Sequence, residues 1–195
     1  MKIDRLVVAS KNPDKIREIA EVLAGSGLRV ELVDGLAWPD IEETGGTLEE
    51  NALKKAHEVF DATGVPSLAD DTGLFVNALG GLPGVNTARF AGPDATYTDN
   101  VARLLEELKG IEDRTASFRS VVALVSGNEE LVAEGVLEGS IAHAARGSGG
   151  FGYDPVFELS NGRTLAELPA TAKNGLSHRA IALRTLFGRL GATWH

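Results

Sequence analysis

The sequence predicts an α/β fold: a mixed twisted sheet with flanking helices. Two observations carry that class. Strand-like and helix-like segments alternate along the chain, and a central pair of consecutive strand segments breaks the strict strand–helix–strand order. No internal repeat or low-complexity tract divides the 195 residues, so they read as one domain.

Residues 5–10 contain Leu6, Val7 and Val8 and read as a first strand leading into Asn12-Pro13. Asparagine caps helices well and proline is tolerated at the first helical position. Ile16, Ile19, Ala20 and Leu23 then recur at helical spacing, with Gly27 as the stop. A second strand is expected near residues 28–33. Thr47-Leu48-Glu49-Glu50 fits a capping box, and Ala52, Ala56, Val59 and Phe60 mark the buried face of a helix ending near Thr63-Gly64. Residues 66–76 rise into an apolar strand interrupted by Asp70-Asp71. Thr98 is expected to cap the next helix, with Val101, Leu104, Leu105 and Leu108 inward. Residues 117–126 and 131–139 form a hairpin about Gly127-Asn128. After a glycine-rich segment at 147–152, Ser177 caps a last helix whose core stripe is Leu183, Leu186, Phe187 and Leu190.

Composition narrows the function classes. The 43% hydrophobic content suffices for a core, and no apolar run is long enough to span a bilayer. The opening residues read as a strand and lack a signal-peptide layout, so a cytoplasmic protein without membrane contact is expected. The absence of cysteine excludes disulfides, thiol catalysis and Cys-based zinc sites. With 19 basic against 28 acidic side chains the net charge is −9, which argues against a nucleic-acid polymer as partner. A nucleotide needs only a local group of cations and a metal, and remains compatible.

Four segments can carry chemistry. In Ser10-Lys11-Asn12-Pro13-Asp14-Lys15 a strand turns into a helix whose N–H groups point back at the loop, which suits either a phosphate chain or a plain capped helix. It is not a Walker A loop. Ala69-Asp70-Asp71-Thr72-Gly73 places two acids in an apolar run, where burial is costly without a cation. A straight strand presents only one of them to a given side. That carboxylate suits Mg²⁺ or a water to be deprotonated, the alternative being an Asp-rich turn ending at Gly73. Glu42-Glu43 in the preceding loop offers another oxygen. Gly147-Ser148-Gly149-Gly150-Phe151-Gly152 formally matches the dinucleotide fingerprint, but Tyr153-Asp154-Pro155 follows instead of a helix. What remains is a flexible loop whose Phe151 can stack a purine beside the acceptor Asp154, or a tight turn anchored by its aromatic residues. Lys173 precedes Ser177-His178-Arg179, and cations in the first turn of a helix oppose its dipole, a local cost that marks them as candidates.

Read in order, these segments resemble the inosine triphosphate pyrophosphatase (Ham1-like, dITP/XTP pyrophosphatase) family. The resemblance runs from Val7 to Leu190. It includes Glu-Glu-Thr-Gly-x-Thr-x-x-Glu-Asn-Ala-x-x-Lys-Ala from Glu42, Ala-Asp-Asp-Thr-Gly-Leu from Ala69 and Leu-Gly-Gly-x-Pro-Gly-Val-x-x-Ala-Arg-Phe-x-Gly from Leu79. Gly-Gly-Phe-Gly-Tyr-Asp-Pro-Val-Phe from Gly149 and Ser177-His178-Arg179 complete it.

The resemblance implies two lobes around a central cleft that holds the site, a homodimer, and Mg²⁺-dependent hydrolysis of ITP, dITP and XTP to the monophosphate and pyrophosphate. By it, the loop with Ser10, Lys11, Asn12 and Lys15 holds the triphosphate. Asp71 is the general base or water-orienting group and a metal ligand, and Thr72 touches the substrate. Glu42 is the other metal acid, with Glu43 close enough to be the alternative. Lys55 and Lys173 meet phosphate or base. Phe151, Gly152, Tyr153 and Asp154 cover the base, and His178 and Arg179 meet its six-keto oxygen. Departures are small: Lys11 stands where glycine is usual, Gly46 and Leu48 replace bulkier apolar residues, and no acid directly precedes Lys173. A Maf-like enzyme for pyrimidine or modified nucleotides is disfavoured by Ser177-His178-Arg179. A non-catalytic nucleotide-binding protein is disfavoured because every expected charged group is present.

Overall fold

The computed structural model describes residues 3–194. A strand, β1 (Arg5–Val8), leads into a helix, α1 (Pro13–Ala24), and then a short strand, β2 (Glu31–Val33). Helix α2 (Leu48–Thr63) precedes the long strand β3 (Ser67–Val76), the two-residue strand β4 (Pro83–Gly84) and helix α3 (Tyr97–Glu107). The long strands β5 (Thr115–Ser126) and β6 (Glu129–Ile141) follow, then β7 (Phe157–Glu158), α4 (Ala170–Leu176) and α5 (His178–Gly188).

These elements form one sheet in the order β2-β1-β3-β5-β6-β7, with β4 paired to β3. It is mixed, as expected. β1 is parallel to both β2 and β3, while β4 and β7 are antiparallel to β3 and β6. β5 and β6 are neighbours joined by Gly127-Asn128, a connection short enough only for an antiparallel hairpin. β1 is covered on both faces, so Leu6, Val7 and Val8 are all buried and form the continuous apolar run of an internal parallel strand.

Several boundaries differ from expectation, each for a local reason. α1 stops at Ala24 with Gly25 as its cap, two residues before Gly27. Its buried stripe is Glu18, Ile19, Val22 and Leu23, which turns Ile16 outward at 37% exposure. α3 is capped by Thr96 and not Thr98, because Asp99 stands three residues after Thr96 and closes a capping box with it. β3 is not interrupted at Asp70-Asp71; it runs unbroken through both acids. α2 begins with the expected Thr47–Glu50 capping box and ends on Gly64 in the left-handed conformation.

The chain divides into two compact units. The first comprises Met1–Asp71, Ser120–Gly135 and His178–His195, and the second Thr72–Arg119 and Val136–Ser177. In the first unit Leu6, Ile19, Leu68, Leu124, Leu183 and Phe187 are fully buried in one cluster. In the second, Leu74, Leu104, Leu108, Val156, Phe157 and Leu165 are equally buried.

Within the first unit, β6 approaches α5 closely at Gly135. A β-carbon there would lie 2.1 Å from the carbonyl oxygen of His178 and 2.4 Å from the amide of Ala182. Only glycine permits that approach, so the position of α5, and with it His178 and Arg179, depends on a missing side chain. Gly135→Ala is expected to cost about 1–3 kcal/mol or more through overpacking, read as a lowered midpoint in urea denaturation.

Candidate active site

The first unit brings together the start of α1, the middle of β3, the face of α2 and the start of α5. The Asn12 side chain accepts hydrogen bonds from the amides of Asp14 (2.9 Å) and Lys15 (3.3 Å), and Ser10 Oγ accepts from Asn12 N–H (3.1 Å). The first-turn amides of α1 are therefore taken by the cap, and the amide of Ile16 bonds the Asn12 carbonyl. An anion at this helix start would be held by the dipole and by lysines more than by first-turn N–H groups, contrary to the sequence expectation. Lys11, which is exposed, pairs with Asp40, and Lys15 Nζ lies 2.8 Å from Asp70 Oδ2.

Asp70 and Asp71 are both buried, at 2% and 4% exposure. As strand neighbours they turn to opposite sides and meet different partners. Asp70 receives Arg179 Nη2 at 3.1 Å, Lys15 Nζ and a hydrogen bond from Ser120 Oγ. Burial alone would raise its carboxyl, but the Arg179 guanidinium and Lys15 ammonium outweigh it and hold Asp70 well below the usual carboxylate range. Arg179 also pairs with Glu18 of α1, so two acids and two bases form a quartet, buried except for the partly exposed Lys15.

Asp71 has a different setting. Its Oδ1 lies 2.9 Å from Lys55 Nζ and its Oδ2 accepts from Asn51 Nδ2 at 3.2 Å. Lys55 Nζ also reaches Glu43 Oε1 at 2.7 Å and the Asp70 carbonyl at 2.8 Å. Burial pushes the Asp71 carboxyl up; Lys55 and Lys15 counter it and Glu43 adds to it, and the outcome is a pKa above the ordinary value. For Lys55 burial works downward, but Asp71 and Glu43 prevail and raise it.

Three oxygens thus converge on a single ammonium. This is a hard-oxygen donor set of the kind a divalent cation takes, with the Lys55 ammonium standing in that place. No group of three or more His, Asp or Glu side chains able to hold a metal occurs among the described residues. The acid that shares Lys55 with Asp71 is Glu43. Glu42 is exposed, and its backbone carbonyl accepts from Lys54 Nζ at 2.7 Å.

Arg179 also departs from expectation. Expected at the base, it is 1% exposed and engaged by Asp70 and Glu18. Its neighbour His178 is buried beside it at the start of α5.

The remaining candidates lie in the second unit. Thr72 is half-buried on β3, immediately after Asp71. Phe151 sits between Gly150 and Gly152, both at positive φ, and its amide donates to Asp154 Oδ2 at 2.8 Å. A β-carbon at Gly150 would lie 2.0 Å from that oxygen, so the loop wraps the carboxylate only because glycine is there. Lys173 Nζ lies 2.6 Å from the same oxygen and 4.7 Å from the Phe151 ring centroid. Asp154 was expected to accept from a purine; it is buried and instead organises the loop. Tyr153 was expected at the base too. Its ring is in the core, its hydroxyl donates to the Thr87 carbonyl at 3.0 Å, and burial pushes its pKa well up.

Sequence reasoning missed Glu18, Asn51, Ser120 and Asp40. Two of these had a signal. Asn51 and Lys55 are four residues apart on one face of α2, and Glu18 follows Lys15 by three on α1. Ser120 and Asp40 reach their partners across 50 and 29 residues, with no spacing rule to reveal them.

Cations disposed to grip a polyanion, next to buried acids able to take a metal, are the equipment of an enzyme that works on phosphoanhydrides. The chain belongs to the Ham1 family, whose family model matches residues 6–189. It is 50% identical over 192 residues to a dITP/XTP pyrophosphatase of Geobacter sulfurreducens, covering 96% of each chain. It is 49% identical to a dITP/XTP pyrophosphatase of Symbiobacterium thermophilum, covering 98% of each. Among solved structures, a HAM1 protein from Coxiella burnetii matches with a TM-score of 0.87 at 42% identity, covering 96% of this chain and 98% of that one.

Removing the carboxylate at the centre of the quartet leaves Arg179 and Lys15 without their shared partner. Asp70→Asn is expected to cost about 3–5 kcal/mol at pH 7. The folded-state pKa of Asp70 is depressed, so its contribution is fully present above the unfolded value of about 3.9 and is lost as pH falls through the lower folded value. Urea denaturation of both proteins should show the full gap at pH 7 and a narrowing gap below about pH 3.9.

Proposed function

We propose that this chain hydrolyses the triphosphates of purines bearing a six-keto group (ITP, dITP and XTP) to the monophosphate and pyrophosphate, removing them from the nucleotide pool, with Mg²⁺ as its metal. One observation carries the reading in the geometry: the convergence of Glu43, Asp71 and the Asp70 carbonyl on one cation position. The relatives named dITP/XTP pyrophosphatase support it along almost the whole chain.

The chemistry divides the nucleotide by its parts. A triphosphate carries about four negative charges near neutral pH, which the metal, Lys15, Lys55 and Lys11 offset. Glu43 and Asp71 would hold the metal, which when bound would supply Lewis-acid polarisation of the phosphates. Asp71 accepts the proton of the attacking water, a role favoured by a carboxyl raised above its ordinary value. Water adds to the α-phosphorus and pyrophosphate leaves, its charge stabilised by the lysines. Ser10 and Asn12 shape the phosphate loop, and Thr72 adds a hydroxyl contact.

In the second unit, the Phe151 ring with Gly152 stacks the base, and Lys173 offers a cation next to it. Tyr153 and Asp154 hold that loop from beneath. We assign the donor to the six-keto oxygen to His178, because the Arg179 guanidinium is engaged by Asp70 and Glu18. Adenine would present its amino group to that donor, leaving two donors face to face. A homodimer in the cytoplasm belongs to the same proposal. No helix among the described residues is long and apolar enough to cross a membrane.

Pyrophosphate release should be strong with ITP, dITP and XTP, weak with GTP and ATP, and absent once Mg²⁺ is chelated. Faster cleavage of dTTP or UTP than of ITP would overturn the specificity. Asp71→Asn should lower kcat by about 10²–10⁴-fold. Direct Mn²⁺ titration followed by electron paramagnetic resonance should show weakened binding in Glu43→Gln and unchanged binding in Glu42→Gln. The reverse pattern would return the metal to Glu42.

A further inference from the structure

Among the described residues four large apolar side chains are exposed, and one of them, Tyr97 at 43% exposure, touches a candidate site residue. Its ring centroid lies 5.9 Å from that of Phe151, with the planes tilted at 41°. That separation falls within the favoured range for aromatic pairs. Tyr97 is the first residue of α3, and the turn bearing it is fixed by the Thr96–Asp99 capping box, with Thr96 N–H donating to Asp99 at 2.9 Å. Phe151, by contrast, belongs to a segment with glycine at 147, 149, 150 and 152. The backbone there is held by Asp154, and the ring by Lys173 and Tyr97.

We infer that Tyr97 is a positioning residue for substrate specificity: it fixes the plane of the Phe151 ring and widens the aromatic surface offered to a bicyclic base. The inference rests on the reading of Phe151 as the base platform. Lys173 cannot do this alone, since a cation over a ring face restrains the distance of the ring more than its tilt, whereas a second ring anchored on a helix restrains both. The sequence gives no hint of it, because Tyr97 lies in line with Val101, Leu104 and Leu108 and reads as the outer end of the apolar stripe of α3.

The test compares Tyr97→Ala, Tyr97→Phe and Phe151→Ala in the full-length protein. KM and kcat are measured for ITP, and inhibition constants for inorganic tripolyphosphate, which has the phosphates but no base. Tyr97→Ala should raise KM for ITP about three- to tenfold, the worth of one aromatic pair, with kcat and the tripolyphosphate constant unchanged. Tyr97→Phe should restore the wild-type KM, because the ring and not the hydroxyl acts. If Phe151→Ala raises KM while Tyr97→Ala does not, the role of Tyr97 is overturned and the platform stands. If Phe151→Ala leaves KM unchanged, the platform reading itself fails. An equal rise in KM and in the tripolyphosphate constant for Tyr97→Ala would mark general damage and also overturn the inference.

Discussion

The buried contact between Asp70 and Arg179 is the constraint on which the first unit is built. A guanidinium and a carboxylate out of water are costly unless each is fully partnered, and here each has a second opposite charge: Glu18 for Arg179 and Lys15 for Asp70. The four side chains come from α1, β3 and α5, so charge balance ties three elements at one point. Hydrophobic burial around Leu6, Ile19, Leu183 and Phe187 sets these elements close, but it is nondirectional. The ion quartet fixes their register, and Gly135 supplies the room for α5 to reach it.

The two adjacent aspartates show how one strand can serve structure and chemistry at once. Alternation of side chains sends Asp70 into the quartet and Asp71 toward α2, where Asn51 and Lys55 wait on a single helical face. The partners make the difference in character. Asp70 faces two cations and stays an anion far below the usual titration range, while Asp71 shares one lysine with a second acid and is pushed the other way. A strand that had ended at the acids would lose this division, and β3 continues to Val76.

Much of this was legible in the sequence because the signals were local. Asn12 and Thr47 cap their helices as their chemistry dictates, the Gly127-Asn128 hairpin forms, and the alternation of elements gives the mixed sheet. Motif order pointed to the family, and Lys15, Lys55 and Asp71 do come together in one unit. The misses arose where two equivalent residues compete or where partners are remote. Thr96 and Thr98 are both good caps, and the position of Asp99 decides between them. Glu42 and Glu43 carry the same side chain, and nothing in the motif shows which of them pairs with Lys55, as Glu43 does. Arg179 read as a ligand-facing cation because nothing in the spacing shows that Glu18, 161 residues away, claims it.

The place of Lys55 has a further consequence. With its ammonium between Glu43 and Asp71, repulsion between those acids is quenched from within the chain. Domains whose ligand side chains depend on a metal for neutralisation unfold when it is stripped. Here an internal counter-ion takes over that duty, so the placement of the two acids in the fold does not depend on a metal.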